Sequence, residues 1–335
     1  MTKDCVLVTG GAGYIGSHAC KALARAGYQP VTYDSLVTGY REAVKWGPLE
    51  IGDTLDRQRL GEVMEQYSPR AVMHFAGFIA VGESVADPAK YYENNITGSL
   101  NLLLAMQQHG IDRIVFSSSA AVYGEPETPL ITEHHPKRPI NPYGFSKYAV
   151  ERMLEDFAAA RQMRSVALRY FNAAGADPDG EIGEAHEPET HLIPIVLEAA
   201  AGQRDHVLIF GDGYATPDGT CVRDYIHVSD LADAHVRALG YLDRAPGAAA
   251  FNLGNGNGFS VRQIIDVARR VTSRQIPTRI APARAGDSAV LVADISQAVE
   301  KLGWAPRYTS VEDQLGHAWN WHRKHAQGHR QDNPA

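Results

Sequence analysis

The chain reads as a doubly wound α/β protein, a Rossmann-type parallel sheet covered by helices on both faces, joined to a smaller, discontinuous α/β unit. Three observations predict this. Short apolar, β-branched runs alternate with helical patterns through the first half. A glycine-rich loop joins the first such run to the first helix. The second half is broken by Gly- and Pro-rich segments, as expected of a unit assembled from separated pieces of chain.

The elements follow in order. CVLVTG (5–10) is a strand ending in glycine, and Ile15, Ala19, Leu23 and Ala26 then repeat at helical spacing up to a stop at Gly27. PVTYD (30–34), AVMHFAG (71–77) and RIVFSSS (113–119) are further strands, with a long helix expected over 88–109. Strands separated by helices connect by right-handed crossovers, which makes the sheet parallel and buried. SVALRYFNAAG (165–175) is a later strand running into a loop, and DYIHVSDLADAHVRALG (224–240) a strand and helix. ADPDGEIGEAHEPETH (176–191) reads as a mobile loop or domain edge. The expected division is 1–172 for the nucleotide-binding domain, with 225–250 returning to it, and 173–224 plus 251–325 for a substrate domain. Residues 326–335 read as a disordered tail.

Composition excludes several classes. The 335 residues carry 39 acidic against 32 basic side chains, a net charge of −7, so a general nucleic-acid surface is not expected. Cys5, Cys20 and Cys221 are widely spaced and form no CxxC pair, which suggests neither a disulfide framework nor a zinc ribbon. Among the fourteen histidines no Cys/His cluster suggests a metal, and the one HxxxH spacing, His325 with His329, falls at the tail, so no metal is expected. No run approaches the ~18 apolar residues of a membrane span. MTKDCVLVTGGAG shows no signal-peptide pattern, which makes the cytoplasm the expected location.

TGGAGYIGS places Gly10, Gly13 and Gly16 in a GxxGxxG pattern between strand and helix. The first permits a sharp turn, the second lets backbone approach a pyrophosphate, and the third lets helix and strand pack closely. Asp34 ends the second strand, where a carboxylate accepts from ribose hydroxyls and repels a 2′-phosphate. No arginine follows until Arg41, so NAD is expected over NADP. Asp53 stands within reach of an adenine amino group.

NPYGFSKY (141–148) puts Tyr143 and Lys147 on one helical face, with Cβ atoms about 5–6 Å apart. Ionising a phenol near pH 7 needs a shift of about three units, roughly 4 kcal/mol. An ammonium supplies ~1 kcal/mol at contact in water and ~4 kcal/mol at an effective dielectric of about 20, so the pair must lie in a partly desolvated cleft. A serine at the end of the 113–119 strand would sit at the carboxyl edge, where ligands bind. By composition alone Ser117, Ser118 and Ser119 are equivalent candidates for a proton relay.

TGGAGYIGS, HFAG, SSSAAVYG and PYGFSKY together resemble the extended short-chain dehydrogenase/reductase family. RYFNAAGA, DGTCVRDYIHVSDLADAH, FNLGNG and RAGD extend the likeness over nearly the whole chain, to the branch that inverts C4 of UDP-sugars. The resemblance singles out Ser119, Tyr143 and Lys147 as catalytic and implies an NAD-dependent isomerase that interconverts UDP-glucose and UDP-galactose through a 4-keto sugar. It implies cofactor contacts from Tyr14, Ile15, Ser35, Leu36, Thr38, Gly39, Thr54, Phe75, Ala76, Gly77, Asn94 and Phe171, beside the residues above. Phe75 and Phe171 are equally explained as core. For the UDP-sugar it implies Arg223 and Arg284 on the diphosphate, Asp287 on the uridine ribose, Leu208 and Phe210 beside the uracil, and Asn172 and Leu192 at the pyrophosphate and nearby backbone; His191 is explained equally as a phosphate contact or as packing. A homodimer through helices 88–109 and 144–161 is implied as well, with Tyr92, Ile96, Leu103, Met106, Tyr148, Met153 and Phe157 as apolar surface or, equally, as core.

Related dehydratases carry Asp and Glu in the two positions after their Ser or Thr, because eliminating water needs another acid and base. Ala120 and Ala121 stand there, so a C4 ketone can only be reduced again. Ile79, His191 and Leu291 depart from the lysine, asparagine and tyrosine of some epimerases. Leucine leaves room, which keeps N-acetylhexosamine, pentose and uronate substrates open. A net dehydrogenase, releasing altered cofactor, and a non-enzymatic NAD sensor are the readings from other classes.

Overall fold

The computed structural model describes residues 4–284 and 287–325. The first unit contains β1 (Cys5–Thr9), α1 (Tyr14–Arg25), β2 (Gln29–Asp34), β3 (Leu49–Ile51), α2 (Arg57–Tyr67), β4 (Ala71–His74), α3 (Val81–Ala86), α4 (Pro88–Tyr91), α5 (Gly98–Gln108) and β5 (Arg113–Ser119). There follow β6 (Leu130–Ile131), α6 (Pro142–Arg161), β7 (Arg164–Tyr170), β8 (Asn172–Ala174), α7 (Leu192–Ala200), β9 (Val207–Phe210), β10 (Val222–His227), α8 (Val228–Leu242) and β11 (Ala248–Leu253). The chain ends in β12 (Gly258–Ser260), α9 (Val261–Thr272), β13 (Thr278–Ala281), β14 (Val290–Ala293), α10 (Ser296–Leu302) and α11 (Val311–Lys324).

The seven-stranded sheet runs β11-β7-β5-β4-β1-β2-β3, and every pairing is parallel. Alternate residues of each strand feed opposite cores, as the two-residue repeat of a pleated strand dictates. Val6, Val8 and Val115 pack on one face with Leu23, Leu239 and Trp304. Leu7, Ile114 and Phe116 pack on the other with Leu60, Leu102 and Leu154. Ala298 and Leu302 join Trp304 in the first of these cores, so α10 covers the large sheet although its position in the chain places it among the segments expected in the substrate unit.

The helix expected over 88–109 is helical throughout, but a π-type turn over Tyr92–Thr97 lies between α4 and α5. Leu103 and Met106, offered as dimer surface, are 1% and 0% exposed and belong to the core under the sheet. An apolar repeat marks a face to be buried, and it does not say whether the chain's own core or a second copy buries it.

The smaller unit has its own core, in which Ile193, Val207, Ile209, Ile264, Ile265 and Leu315 meet. β10 is the strand around which its sheet is built: it pairs with β8, β12 and β14. The 176–191 segment, read as mobile, is pinned to α1. The buried ammonium of Lys21 contacts Asp177 at 2.7 Å and Asp179 at 3.0 Å, and also meets Glu181. The Tyr14 hydroxyl donates to the Gly175 carbonyl at 2.7 Å. The tail at 326–335 lies outside the described residues.

Candidate active site

The glycine loop is built to admit backbone and little else. Gly10 takes a positive φ of 74°, and a Cβ there would stand 2.6 Å from the Ala76 nitrogen. A Cβ on Gly16 would fall 2.1 Å from the Gly10 carbonyl oxygen, so α1 packs against the loop only because that side chain is missing. At Gly13 the nearest atom would be 3.4 Å away, which leaves the approach to the helix start open. No side chain caps α1, so its first N–H groups face the cleft free to meet an anion.

Asp34 closes the loop from the side. Its carboxylate accepts from the N–H of Ala12 at 3.0 Å and of Leu36 at 2.9 Å. Burial raises its pKa, and these two donors oppose the rise. Leu36 takes a φ of 61°, unusual for a bulky residue, and the bond to Asp34 holds it there. Gly39 lies over the carboxylate, where a Cβ would be 2.9 Å from Asp34 Oδ1. Thr54 is buried, and Asp53 accepts from the Leu55 N–H at 2.8 Å. The glycine cradle, uncapped helix and buried carboxylate fit a dinucleotide.

Phe75 and Ala76 follow β4, and both their N–H groups donate to the Thr9 carbonyl, at 2.8 and 3.1 Å. This ties the end of β4 to the end of β1. The Phe75 ring packs on the first core and stands 4.7 Å from the His235 ring, while Phe171 packs against Ala120 and Tyr123. Asn94 lies in the π-type turn and donates to its neighbour Asn95 at 2.9 Å. Asn95, absent from the expected set, grips Phe78 through both its N–H and its carbonyl and reaches Ser146 on α6 at 3.1 Å. Ile79 is 42% exposed.

Three local features set the catalytic group. Asn141 caps α6 by accepting from the Gly144 N–H at 2.8 Å, and Pro142 occupies the first turn. A Cβ on Gly144 would meet the Ala121 carbonyl at 2.5 Å, so the helix start rests directly on the Ala120–Val122 turn after β5. Ser119 ends β5, and its hydroxyl accepts from the Ala121 N–H at 3.2 Å. The Tyr143 phenol lies beside the Ser119 hydroxyl; burial raises the phenol pKa, and Ser119 opposes the rise.

Lys147 is buried one turn along. Its ammonium donates to the Ser117 carbonyl at 2.9 Å and lies 5.9 Å from the Tyr143 ring centre. Burial lowers its pKa to about 8. His74 sits behind it between Thr9 at 2.6 Å and Ser99 at 2.8 Å; desolvation first, and then Lys147, push the imidazole down to about 3. Ser117 turns its hydroxyl to Tyr170 and Ser118 its hydroxyl to Glu151, which leaves Ser119 the member of the run beside Tyr143.

The residues expected at the UDP-sugar gather around β9, β10 and β14. Arg223 pairs with Asp287 at 2.8 Å and also donates to the Ser288 carbonyl at 2.7 Å. Arg284 lies over the Phe210 ring, 3.9 Å from its centre, beside exposed Leu208. Asn172 donates to the Asp224 carbonyl at 3.0 Å, so part of its amide is engaged in joining β8 to β10. Leu291 is half-buried in the same cluster as Ala120 and Tyr123. His191 ends the loop before Leu192, but its Nδ1 turns to Glu184 at 2.7 Å. Burial works against protonating His191, and the Glu184 and Glu189 carboxylates more than reverse it.

The profile of the NAD dependent epimerase/dehydratase family matches residues 6–254. A protein of Rhizobium meliloti (strain 1021) described as UDP-glucose 4-epimerase is 52% identical over 328 residues, 98% of this chain and 100% of that protein. Among solved structures, UDP-glucose 4-epimerase from Brucella ovis in complex with NAD superposes with a TM-score of 0.92 at 52% identity, covering 94% of this chain and 97% of that one. UDP-glucose-4-epimerase from Stenotrophomonas maltophila, with bound NAD and formylated UDP-arabinopyranose, gives a TM-score of 0.94 at 41% identity, over 97% and 99%.

Proposed function

Because the chain belongs to the NAD dependent epimerase/dehydratase family, we infer that it is an isomerase, a UDP-glucose 4-epimerase that uses NAD. The observation that carries this is the meeting of Ser119, Tyr143 and Lys147 at the carboxyl edge of the sheet, with alanines at 120 and 121 where an eliminating acid and base would stand.

Gly10, Gly13, Gly16 and the start of α1 would hold the pyrophosphate of NAD, Asp34 its ribose, and Lys147 the nicotinamide end. Bound NAD supplies a hydride acceptor and a positive charge, and it is restored within each turnover. Tyr143 takes the proton of the sugar 4-hydroxyl, directly or through Ser119, and later returns it. Lys147 keeps a cation near the phenol, which favours its ionised form. Ala120 and Ala121 offer no further proton acceptor, so the 4-keto sugar goes forward only by reduction. Presenting either face of that ketone requires a firm hold on the nucleotide and a loose one on the hexose. Arg223 and Arg284 would clamp the diphosphate, a planar fork being suited to phosphate oxygens. Ser119 and Tyr143 would touch the reacting centre.

Leu291, half-buried beside Ala120, favours a roomy sugar pocket that also takes UDP-N-acetylhexosamine or UDP-pentose. Dimerisation through α4–α5 and α6 is part of the same reading. Tyr92 and Phe145 are exposed with ring centres 5.7 Å apart, and Val81, Val85 and Ile140 are exposed as well. No helix among the described residues is long and apolar enough to cross a membrane, and a cytoplasmic location is proposed with the rest.

The test incubates purified protein, without added NAD, with UDP-galactose, UDP-N-acetylgalactosamine and UDP-arabinopyranose and resolves the products. Conversion without NADH release is expected. Steady NADH release would mark a net dehydrogenase and end this reading, and no turnover with NAD still bound would mark a sensor.

A further inference from the structure

We propose that Glu184, His186, Glu189 and His191 form a binding site for one divalent transition-metal ion, which clips the 184–191 segment onto the start of α1. Two imidazoles and two carboxylates converge there, each offering a ligand atom within 4.8 Å of all the others. Glu184 lies between the rings, its oxygen 3.2 Å from His186 Nδ1 and 2.7 Å from His191 Nδ1. Glu189 stands 3.6 Å from the first nitrogen and 3.5 Å from the second. Ligands about 2.0–2.2 Å from a common tetrahedral centre stand roughly 3.3–3.6 Å apart, so small adjustments bring all four onto one ion.

Burial and charge argue the same way. The Glu184 and Glu189 side chains are 7% and 4% exposed, and two carboxylates removed from water beside each other require cationic compensation. His186 Nδ1 is buried without a well-formed hydrogen bond, although it faces both carboxylates. Glu189 is held in place from behind, accepting from the N–H groups of Thr190 at 2.7 Å and His191 at 2.8 Å, as carboxylate ligands commonly are. The mixed nitrogen and oxygen set suits Zn²⁺ and its neighbours better than Mg²⁺ or Ca²⁺, which favour oxygen alone. The only other compensation the cluster offers is a proton on each imidazole.

The position gives the ion a role. The His186 ring packs edge-on to Tyr14, with centroids 6.4 Å apart, and Tyr14 is the first residue of α1. Ordering 184–191 there would brace the segment beside the open start of that helix.

The experiment titrates Zn²⁺, with Mg²⁺ in parallel, into untagged, chelator-treated full-length protein by calorimetry, and repeats it with His186→Ala and Glu189→Gln. One saturating Zn²⁺ per chain, weakened roughly tenfold or more in each variant, is expected. Zn²⁺ should also raise the melting temperature of the parent and not of His186→Ala, which a site elsewhere on the chain would not reproduce. Absence of saturable Zn²⁺ binding, equal preference for Mg²⁺, or one Zn²⁺ bound undiminished in both variants would overturn the proposal. Because the readout is binding and melting, its failure leaves the epimerase reading untouched.

Discussion

The Lys147 ammonium donates to the Ser117 carbonyl at 2.9 Å, which ties the helix bearing Tyr143 to the strand bearing Ser119. The tie has a cost that pH exposes. Burial lowers the Lys147 pKa from 10.5 to about 8, so the folded chain releases that proton before the unfolded chain does. From pH 8 to about 10.5 the unfolded state binds more protons, and stability attributable to Lys147 rises; below pH 8 it is flat and at its minimum. Cofactor-free parent should therefore gain stability relative to Lys147→Met as pH rises from 7.5 to 9.5. Denaturant midpoints of the two proteins measure this, and a constant difference would show that the ammonium is not desolvated.

The βαβ order was readable from apolar runs and glycines, because strand ends and tight loops are local properties. The pairing of Tyr143 with Lys147 was readable for the same reason. The choice of Ser119 among three adjacent serines was not, since it depends on Tyr170 and Glu151 claiming the other two hydroxyls. Burial of Leu103 and Met106 also depended on distant elements. Asn141 was within reach, because an asparagine directly before a proline at a helix start is a capping signal. Of the Glu and His residues of 184–191 only His191 is legible as a site residue, and only as a phosphate contact; the spacing of the four, interrupted by Pro188, matches no regular helix or zinc pattern, and the folded loop brings them together.

Tyr143→Phe removes the phenolic proton and leaves the ring. Turnover should fall by roughly 10²–10⁴-fold or more, with NAD still bound after gel filtration. Ser119→Ala should fall less, since the alanine variant keeps Tyr143 within the same cleft. Equal rates for parent and Tyr143→Phe would remove the phenol from the mechanism.

Asp34→Asn keeps the shape of the side chain but turns an amide N–H₂ toward one of two backbone donors that the carboxylate now accepts, at Ala12 and Leu36. That mispairing should cost about 1–3 kcal/mol of stability, and an amide that no longer accepts from both ribose hydroxyls should weaken NAD roughly 10- to 100-fold. Loss of repulsion should also narrow the preference over NADP. Cofactor content after dialysis, compared for NAD and NADP, measures both.

Behind the catalytic group, Arg169 and Glu151 form a pair with both side chains buried, joined by bonds of 2.9 and 2.7 Å. Glu151 also accepts from Ser118 at 2.6 Å, next to Ser119, and it lies one turn beyond Lys147 on α6. Glu151→Gln would leave the guanidinium buried without its directly paired carboxylate, and a loss of about 3–5 kcal/mol of stability is expected. Arg169→Met combined with Glu151→Met removes both charges, so it should lose less than Glu151→Gln alone. Recovery should be partial, because Tyr123, which accepts from Arg169 at 2.9 Å, loses that donor. Denaturation of both variants decides the matter. If the double variant is the less stable, the pair contributes by its hydrogen bonds and packing, and an unpaired buried charge is not what makes Glu151 necessary.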